Sequence, residues 1–341
     1  VSPPVIQDHL QGKHVIGVYP LLPNERCHLL AVDFDKGSWR DDVAAFAETS
    51  RLVGVPTAVE RSRSGNGAHA WFFFEDAVPA AVARKIGCYL LTETMARRPG
   101  LGMDSYDRLF PSQDTMPRGG FGNLIALPLQ HEPRKHGNTV FLGDDLEPLA
   151  DQWAFLAGIQ LIPSASAELI AAEAQRQGRV LGVRFAPAED EAAPWARLPS
   201  GRPRIPLARE PGPGSVTCVR ANLFFVGRHG LPAGLVTELR RAASFQNPEF
   251  YKKQAMRLST AGTPRVVTCA TDDASFIGLP RGCEPEAREL LVAWGSQPDV
   301  RDERVPGDAI EVQFGGDLLP VQRAAVAALL PHDFGIVVAP P

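Results

Sequence analysis

Apolar positions along the first half of the chain recur with two different periods. Residues 28–35, HLLAVDFD, form an apolar run that ends in acids, which predicts a buried strand. Val43, Phe46, Ala47 and Val53 follow at helical spacing. Ser38, three residues before Asp41, offers a capping-box-like start for that helix, and Gly54 with Pro56 offers a stop. TAVERS (57–62) and AHAWFFF (68–74) predict the two strands of a hairpin around a glycine-containing loop. Residues 80–97 predict a second helix, ended by Pro99-Gly100, and NLIALPL (123–129) a further strand. Strands alternating with helices, one hairpin among them, predict an α/β (α+β) fold of mixed sheets flanked by helices.

The later part of the chain repeats the style on a smaller scale. Asn247-Pro248-Glu249 supplies a cap, a proline at the first helical position and an acid. RVVTCA (265–270) and FIGLP (276–280) predict strands, and 284–294 and 319–330 helices. GIVVAPP (335–341) predicts a buried strand running into the last residue, so the natural protein is expected to continue past Pro341. Between Pro187 and Gly214 lie seven prolines and few large apolar residues, the composition of a linker. The expected units are 1–180, a Pro-rich linker at 181–214, an accessory α/β region at 215–305, and 306–341 as the start of another domain.

A length of 341 residues agrees with about two domains and leaves ample core, so no disulfide or metal staple is needed. Net charge is -4, so a nucleic-acid partner has to be held by local patches. No apolar run reaches the ~18–20 residues of a membrane span, and residues 1–14 lack a signal-peptide layout. Five scattered cysteines without a CxxC point to reduced thiols in a cytoplasmic protein and away from a zinc site.

Three places carry chemistry. Asp33 and Asp35 end the first strand and share one face, about 6.5–7 Å apart at Cα, so their carboxylates can converge on one metal or bridge two. Hard ions such as Mg2+ or Mn2+ take such oxygen ligands. Ser64-Gly65-Asn66-Gly67-Ala68-His69 forms the hairpin tip, where glycines allow close backbone approach and successive N–H groups can cradle an anion. With Arg61 and Arg63 before it and His69 after it, the tip suits a triphosphate; an ordinary hairpin with a core histidine beside Trp71 and Phe73 fits equally. Gly65-x-Gly67-x-x-Ala70 spells the dinucleotide fingerprint but is followed by a strand, which excludes a Rossmann site. Asp114, before the Gly-rich 118–122 loop, is a candidate third carboxylate, with Asp104 and Asp107 as rivals that position alone does not separate. His131 and His136 are wrongly spaced for a zincin helix. The aromatic and basic residues Phe250, Tyr251, Lys252, Lys253 and Arg257 read first as an amphipathic helix and second as a nucleic-acid surface.

Taken in order, the Asp-Phe-Asp strand end, SGNGAHAW, and FPSQD before GGFGNLIALPLQ resemble the archaeo-eukaryotic primase superfamily, the primase–polymerases. Its first motif, DxD or DxE, matches Asp33/Asp35; its second, a small residue–x–His, matches Gly67-Ala68-His69; its third, an Asp after an apolar or neutral residue, is placed at Asp114. Asp114 is preferred to Asp107 because the family's third Asp precedes, by about ten residues, a strand with a polar start, here Asn123-Leu124-Ile125. Family members often carry Arg where Asn123 stands. The wider chain is similar to the primase half of bacterial fusions with a superfamily 2 helicase from conflict and defence systems, and LLPVQRAAVAALLPHDFGIVVAPP to the first helix and strand of that helicase.

The resemblance implies a primase–polymerase core. Asp33, Asp35 and Asp114 would hold two divalent ions, Mg2+ or Mn2+, with no zinc. Arg63, Ser64, Gly65, Asn66, Gly67 and His69 would hold the nucleotide phosphates. The implied partners are a single-stranded DNA or RNA template, nucleoside triphosphates and a C-terminal helicase domain, with no membrane. The rival readings are a two-metal nuclease and a non-catalytic nucleic-acid-binding module of a helicase.

Overall fold

A computed structural model describes residues 2–98, 100–176, 180, 184–185, 211–305, 307–332 and 337–338. In chain order the first unit contains α1 (Pro3–Leu10), β1 (Gly17–Val18), β2 (Arg26–Phe34), α2 (Trp39–Val53), β3 (Ala58–Arg61), β4 (Ala68–Pro79) and α3 (Ala80–Arg97). A 3-10 turn (Met103–Asp107), β5 (Leu109–Phe110), β6 (Ile125–Ala126), α4 (His131–Arg134), α5 (Gln152–Ala157), α6 (Ser164–Arg176) and β7 (Arg184–Phe185) follow. The remainder is β8 (Ser215–Arg220), β9 (Phe224–Gly227), α7 (Ala233–Ala242), β10 (Ser244–Gln246), α8 (Pro248–Ala255), β11 (Val266–Thr268), β12 (Thr271–Asp272) and β13 (Phe276–Leu279). It closes with α9 (Glu284–Ala293), β14 (Gln297–Asp302) and α10 (Pro320–Leu329).

An antiparallel sheet of order β3-β4-β2-β5 carries the first unit. Its two faces follow from strand alternation. Leu30, Val32, Phe34, Ala70 and Phe72 meet α2 and α3 in one core, while Ala31 and Trp71 meet Ile125 and Phe141 in another. α2 buries Trp39, Val43 and Phe46 and ends at Gly54, whose φ of 78° supplies the left-handed cap that the sequence pattern expects. Phe46 is fully buried, with ring centroids 5.2 Å from Phe34 and 6.0 Å from Phe72. α3 is covered on several sides: by β2, by α2, by the alanines of α6 and by α7. Gly87 makes the closest approach, since a Cβ there would lie 2.9 Å from Leu109.

The second sheet, β12-β13-β9-β8-β14, is antiparallel except for the β8–β14 pair, and it packs on α7 and α9 around Phe224, Leu235, Leu239 and Leu291. β10 lies between β11 and β7 in a third, small sheet. The two units are stitched together through α3 and α7. Thr237 donates to the Met95 carbonyl (2.6 Å), and Arg241 to that of Thr92 (3.1 Å). Asn247 caps α8 by accepting from the Glu249 amide, as its sequence predicts.

Several expectations shrink. NLIALPL is a strand only at Ile125–Ala126, because its partner β1 is two residues long. β5 and β7 are short pairings without a pattern of their own. Of the expected linker, 181–183 and 186–210 lie outside the described residues; of the expected C-terminal strand, only Val337 and Val338 are described, and neither is in a strand. No described helix is long and apolar enough to cross a membrane. Phe46→Ala is expected to cost about 3–5 kcal/mol, read as a lowered denaturation midpoint, because it empties the space between Phe34 and Phe72.

Candidate active site

The site forms where β2, β3 and β4 end beside the turn into β5. Register pairs Asp33 with His69 across β2 and β4, and Glu60 with His69 across β3 and β4. The Asp33 amide donates to the Arg108 carbonyl (3.0 Å), which sets Arg108 against the same strand. The Arg108 guanidinium then bridges the acids: it pairs with Asp35 and lies 3.8 Å from Asp33. Asp104 joins this charge ring through Arg108 (3.7 Å) and Lys36 (2.7 Å). Burial raises the Asp33 pKa above the ordinary carboxylate range, and the charge of Asp35 adds to that, while His69 and Arg108 oppose it.

His69 is oriented from behind. Its Nδ1 donates to Glu60 Oε2 (3.0 Å), which also accepts from Trp71 Nε1 (2.8 Å), and its Nε2 faces Asp33 at 3.6 Å. Burial by itself lowers the imidazole pKa, but the Glu60 hydrogen bond and the charges of Glu60 and Asp33 outweigh it and hold it above its ordinary value. A buried carboxylate that fixes the ring's tautomer leaves Nε2 as the working atom.

The hairpin tip leans on the acids. Gly67 lies against β2 so closely that a Cβ would stand 2.6 Å from the Phe34 carbonyl and 3.3 Å from the Asp35 Cα. Only glycine fits there without moving the strand end. Gly65, at φ 76°, turns the chain, and the Gly65 and Asn66 N–H groups close the tip on itself through Ser62 O and Ser64 Oγ. Arg63, Ser64 and Asn66 are exposed, and Arg63 has no ion-pair partner among the described residues. Arg61 instead turns inward to the Leu146 carbonyl (3.0 Å).

Asp114 does not join this group. β5 runs antiparallel to β2, with Phe110 opposite Ala31 and Leu109 opposite Val32, so residues after Phe110 travel away from Asp33. The Asp114 carboxylate pairs with the buried Arg84 of α3 and accepts from Gln254 Nε2 (3.0 Å). Its described contacts include neither Asp33 nor Asp35. Asp107 also faces elsewhere: it accepts from the Arg265 amide (2.7 Å), and burial, then the Asp104 charge, push its pKa up to about 7 against Arg84 and Arg108. Asp104 is the third acid linked to the pair. Of the expected triad of Asp33, Asp35 and Asp114, the described contacts join Asp33 and Asp35 through Arg108 and tie Asp114 to Arg84 and Gln254. The Asn123 position serves packing, with its side chain joining the Ser112 amide (2.9 Å) and the Leu109 carbonyl (3.0 Å).

The donor set nonetheless suits a hard divalent ion. Asp33 and Asp35 offer oxygen ligands and already share a cation, the Arg108 guanidinium. Mg2+ commonly binds through one or two carboxylates, with substrate phosphates and water completing its shell. Among the described residues no group of three or more His, Cys, Asp or Glu is arranged to hold a metal. Cys27 and Cys88 take no part, since burial pushes both thiols up to about 12.

Arg108, Glu60 and Arg265 escape sequence reasoning. Glu60 had the clearest signal, a carboxylate inside the strand TAVERS, paired in register with the motif histidine. Arg265, 3% exposed and stacked over Phe250 at 4.5 Å, donates to the Ser112 carbonyl (2.8 Å) and so braces the turn that carries Arg108 from the second unit. The aromatic and basic stretch of α8 serves this brace: Phe250 is buried, Lys253 pairs with Glu249 and Arg257 with Glu25.

The sheet of the first unit thus ends in paired acids, a carboxylate-held histidine and a glycine turn, the order of features expected of a primase-type core. Residues 1–170 match the family model described as the archaeo-eukaryotic primase domain of the TOTE conflict system, and through them the chain belongs to that family. A search of curated proteins gave no match to the chain.

Glu60→Gln is expected to lower the His69 pKa, because it removes the charge that raises it. With a raised folded-state pKa, His69 contributes stability that is complete below its unfolded value of about 6.5 and is lost as pH rises through the folded one. In the metal-free chain the variant's imidazole resonance titrates at lower pH, and its stability falls less across that window.

Proposed function

We propose that residues 1–170 form a template-directed nucleotidyltransferase, which makes or extends a primer on single-stranded nucleic acid from nucleoside triphosphates. The observation that carries this reading is the convergence of Asp33, Asp35 and a Glu60-held His69 around one cationic position, within a domain of the primase family.

Asp33 and Asp35 would hold a divalent ion, Mg2+ or Mn2+. When bound, it supplies charge neutralisation at the α-phosphate and a lowered pKa for the primer 3′-hydroxyl. The protein's own residues supply position and charge. When protonated, His69 would donate a charge-assisted hydrogen bond to a phosphate oxygen from Nε2, while Glu60 prevents the ring from turning. Arg63 and the Ser64–Gly67 tip approach the same phosphates from outside. With an ion on the acids, the Arg108 guanidinium would be available to the triphosphate charge.

The placement of Asp114 away from the acids favours a second reading, in which the domain holds strand or nucleotide without incorporation. A primer-extension assay on the whole chain with Mg2+ and with Mn2+, using ribo- and deoxynucleotides in turn, separates the two. Incorporation supports transfer, and binding without it supports the second reading. Degradation of labelled strand without added nucleotide would support a nuclease.

Asp33→Asn and Asp35→Asn are expected to abolish incorporation and weaken Mn2+ binding in calorimetry with the fold retained, because both acids stand at a strand end; wild-type rates in either variant would refute the assignment. His69→Ala is expected to raise the nucleotide KM about tenfold or more, roughly 1.4 kcal/mol, while affinity for single-stranded DNA holds. A lowered melting temperature with unchanged incorporation would make His69 a packing residue.

A further inference from the structure

The loop that leaves Asp114 and returns at β6 carries a feature the chemistry above does not use. Tyr19, just past β1, and Phe121, in the 117–122 loop, are 45% and 66% exposed. Their rings nonetheless pack together, with centroids 5.3 Å apart and planes tilted by 37°. Leu124, beside them, is 51% exposed. Single exposed apolar residues are ordinary, but an aromatic pair packed together in water presents flat apolar faces to solvent.

The backbone is shaped to hold that pair in place. Gly119 and Gly122 take φ values of 72° and 78°, which turn the loop back on itself. Gly17 lets Leu124 lie on the β1 backbone, where a Cβ would stand 2.8 Å from its Cγ. Asn123 ties the loop's end to Leu109 and Ser112, on either side of the turn next to Arg108. Val18 and Ile125, neighbours of the pair, belong to the apolar layer containing Ala31 and Trp71, the layer at whose end Asp33 and His69 lie. Arg118 projects from the same loop, exposed and without an ion-pair partner among the described residues.

We propose that Tyr19 and Phe121 form a stacking platform for the bases of a single strand of nucleic acid, with Arg118 on its phosphates, continuous with the Asp33–Asp35 site. The choice of ligand rests on the nucleotidyltransferase reading. The recognition itself rests on charge and shape: flat aromatic faces suit unstacked bases of any sequence, and an unpaired guanidinium suits the backbone. A protein partner would instead favour aromatics enclosed by a broad apolar surface, and here the loop beside them offers glycines, an arginine and one exposed leucine.

The test uses the whole chain and fluorescence anisotropy with three labelled probes: an oligothymidylate, the same strand made abasic, and a duplex. Phe121→Ala and Tyr19→Ala are each expected to weaken oligothymidylate binding about 5- to 100-fold. Both variants should bind the abasic strand as the wild type does, and Phe121→Trp should retain binding. Arg118→Ala should weaken both single strands and flatten the salt dependence. Because these residues are exposed, melting temperatures should not move. Unchanged oligothymidylate affinity in both alanine variants overturns the platform, as does an equal loss on the abasic strand or duplex, or a wild type that binds no single strand. A chain that incorporates no nucleotide but loses oligothymidylate binding on Phe121→Ala retains the platform and loses only the transferase reading.

Discussion

Two like charges at the mouth of a buried strand are the constraint around which the first unit is arranged. Asp33 and Asp35 share a face and sit where desolvation already disfavours a second negative charge. Arg108 answers from one side and His69 from the other, and each is placed by backbone pairing with β2 or its extension. Glu60 in turn favours the protonated form of His69. In the resting chain the Arg108 guanidinium offsets part of the charge of Asp33 and Asp35.

That arrangement was partly legible from the chain alone. Strand alternation put Asp33 with Asp35, and His69 with Trp71 and Phe73, because period two is a local property. The helices over 39–53 and 80–97 were legible from their apolar spacing and stops. The third acid was not. Whether Asp104, Asp107 or Asp114 approaches β2 depends on the direction and register of a two-residue strand, and no residue in FPSQD encodes that. Antiparallel pairing at Leu109–Phe110 draws Arg108 to the acids and sends Asp114 toward Arg84. Glu60 and Arg265 act across strands or across units, so their roles exist only once the fold does.

The second unit takes part in this geometry from outside the family match. Gln254 and Arg265 hold the 107–115 stretch through Asp114, Ser112 and Asp107, and Thr260 donates to Gln113 (3.1 Å). Val266 lies within the first unit's core, and Tyr251 packs against it. The turn presenting Arg108 is thus clamped on one side by β2 and on the other by residues some 150 positions later in the chain.

The encasement of α3 bears on how this protein can be dissected. A helix covered by a sheet, two neighbouring helices and α7 has no face written for water. A fragment cut at residue 170 would strip α7 from Thr92 and Met95, and would remove Val266 and Tyr251 from the first core. It would bring newly bared apolar surface into solution together with an Arg84–Asp114 pair deprived of Gln254. Self-association of such a fragment would then report the missing half of its casing, and would say nothing about the chemistry of its acids.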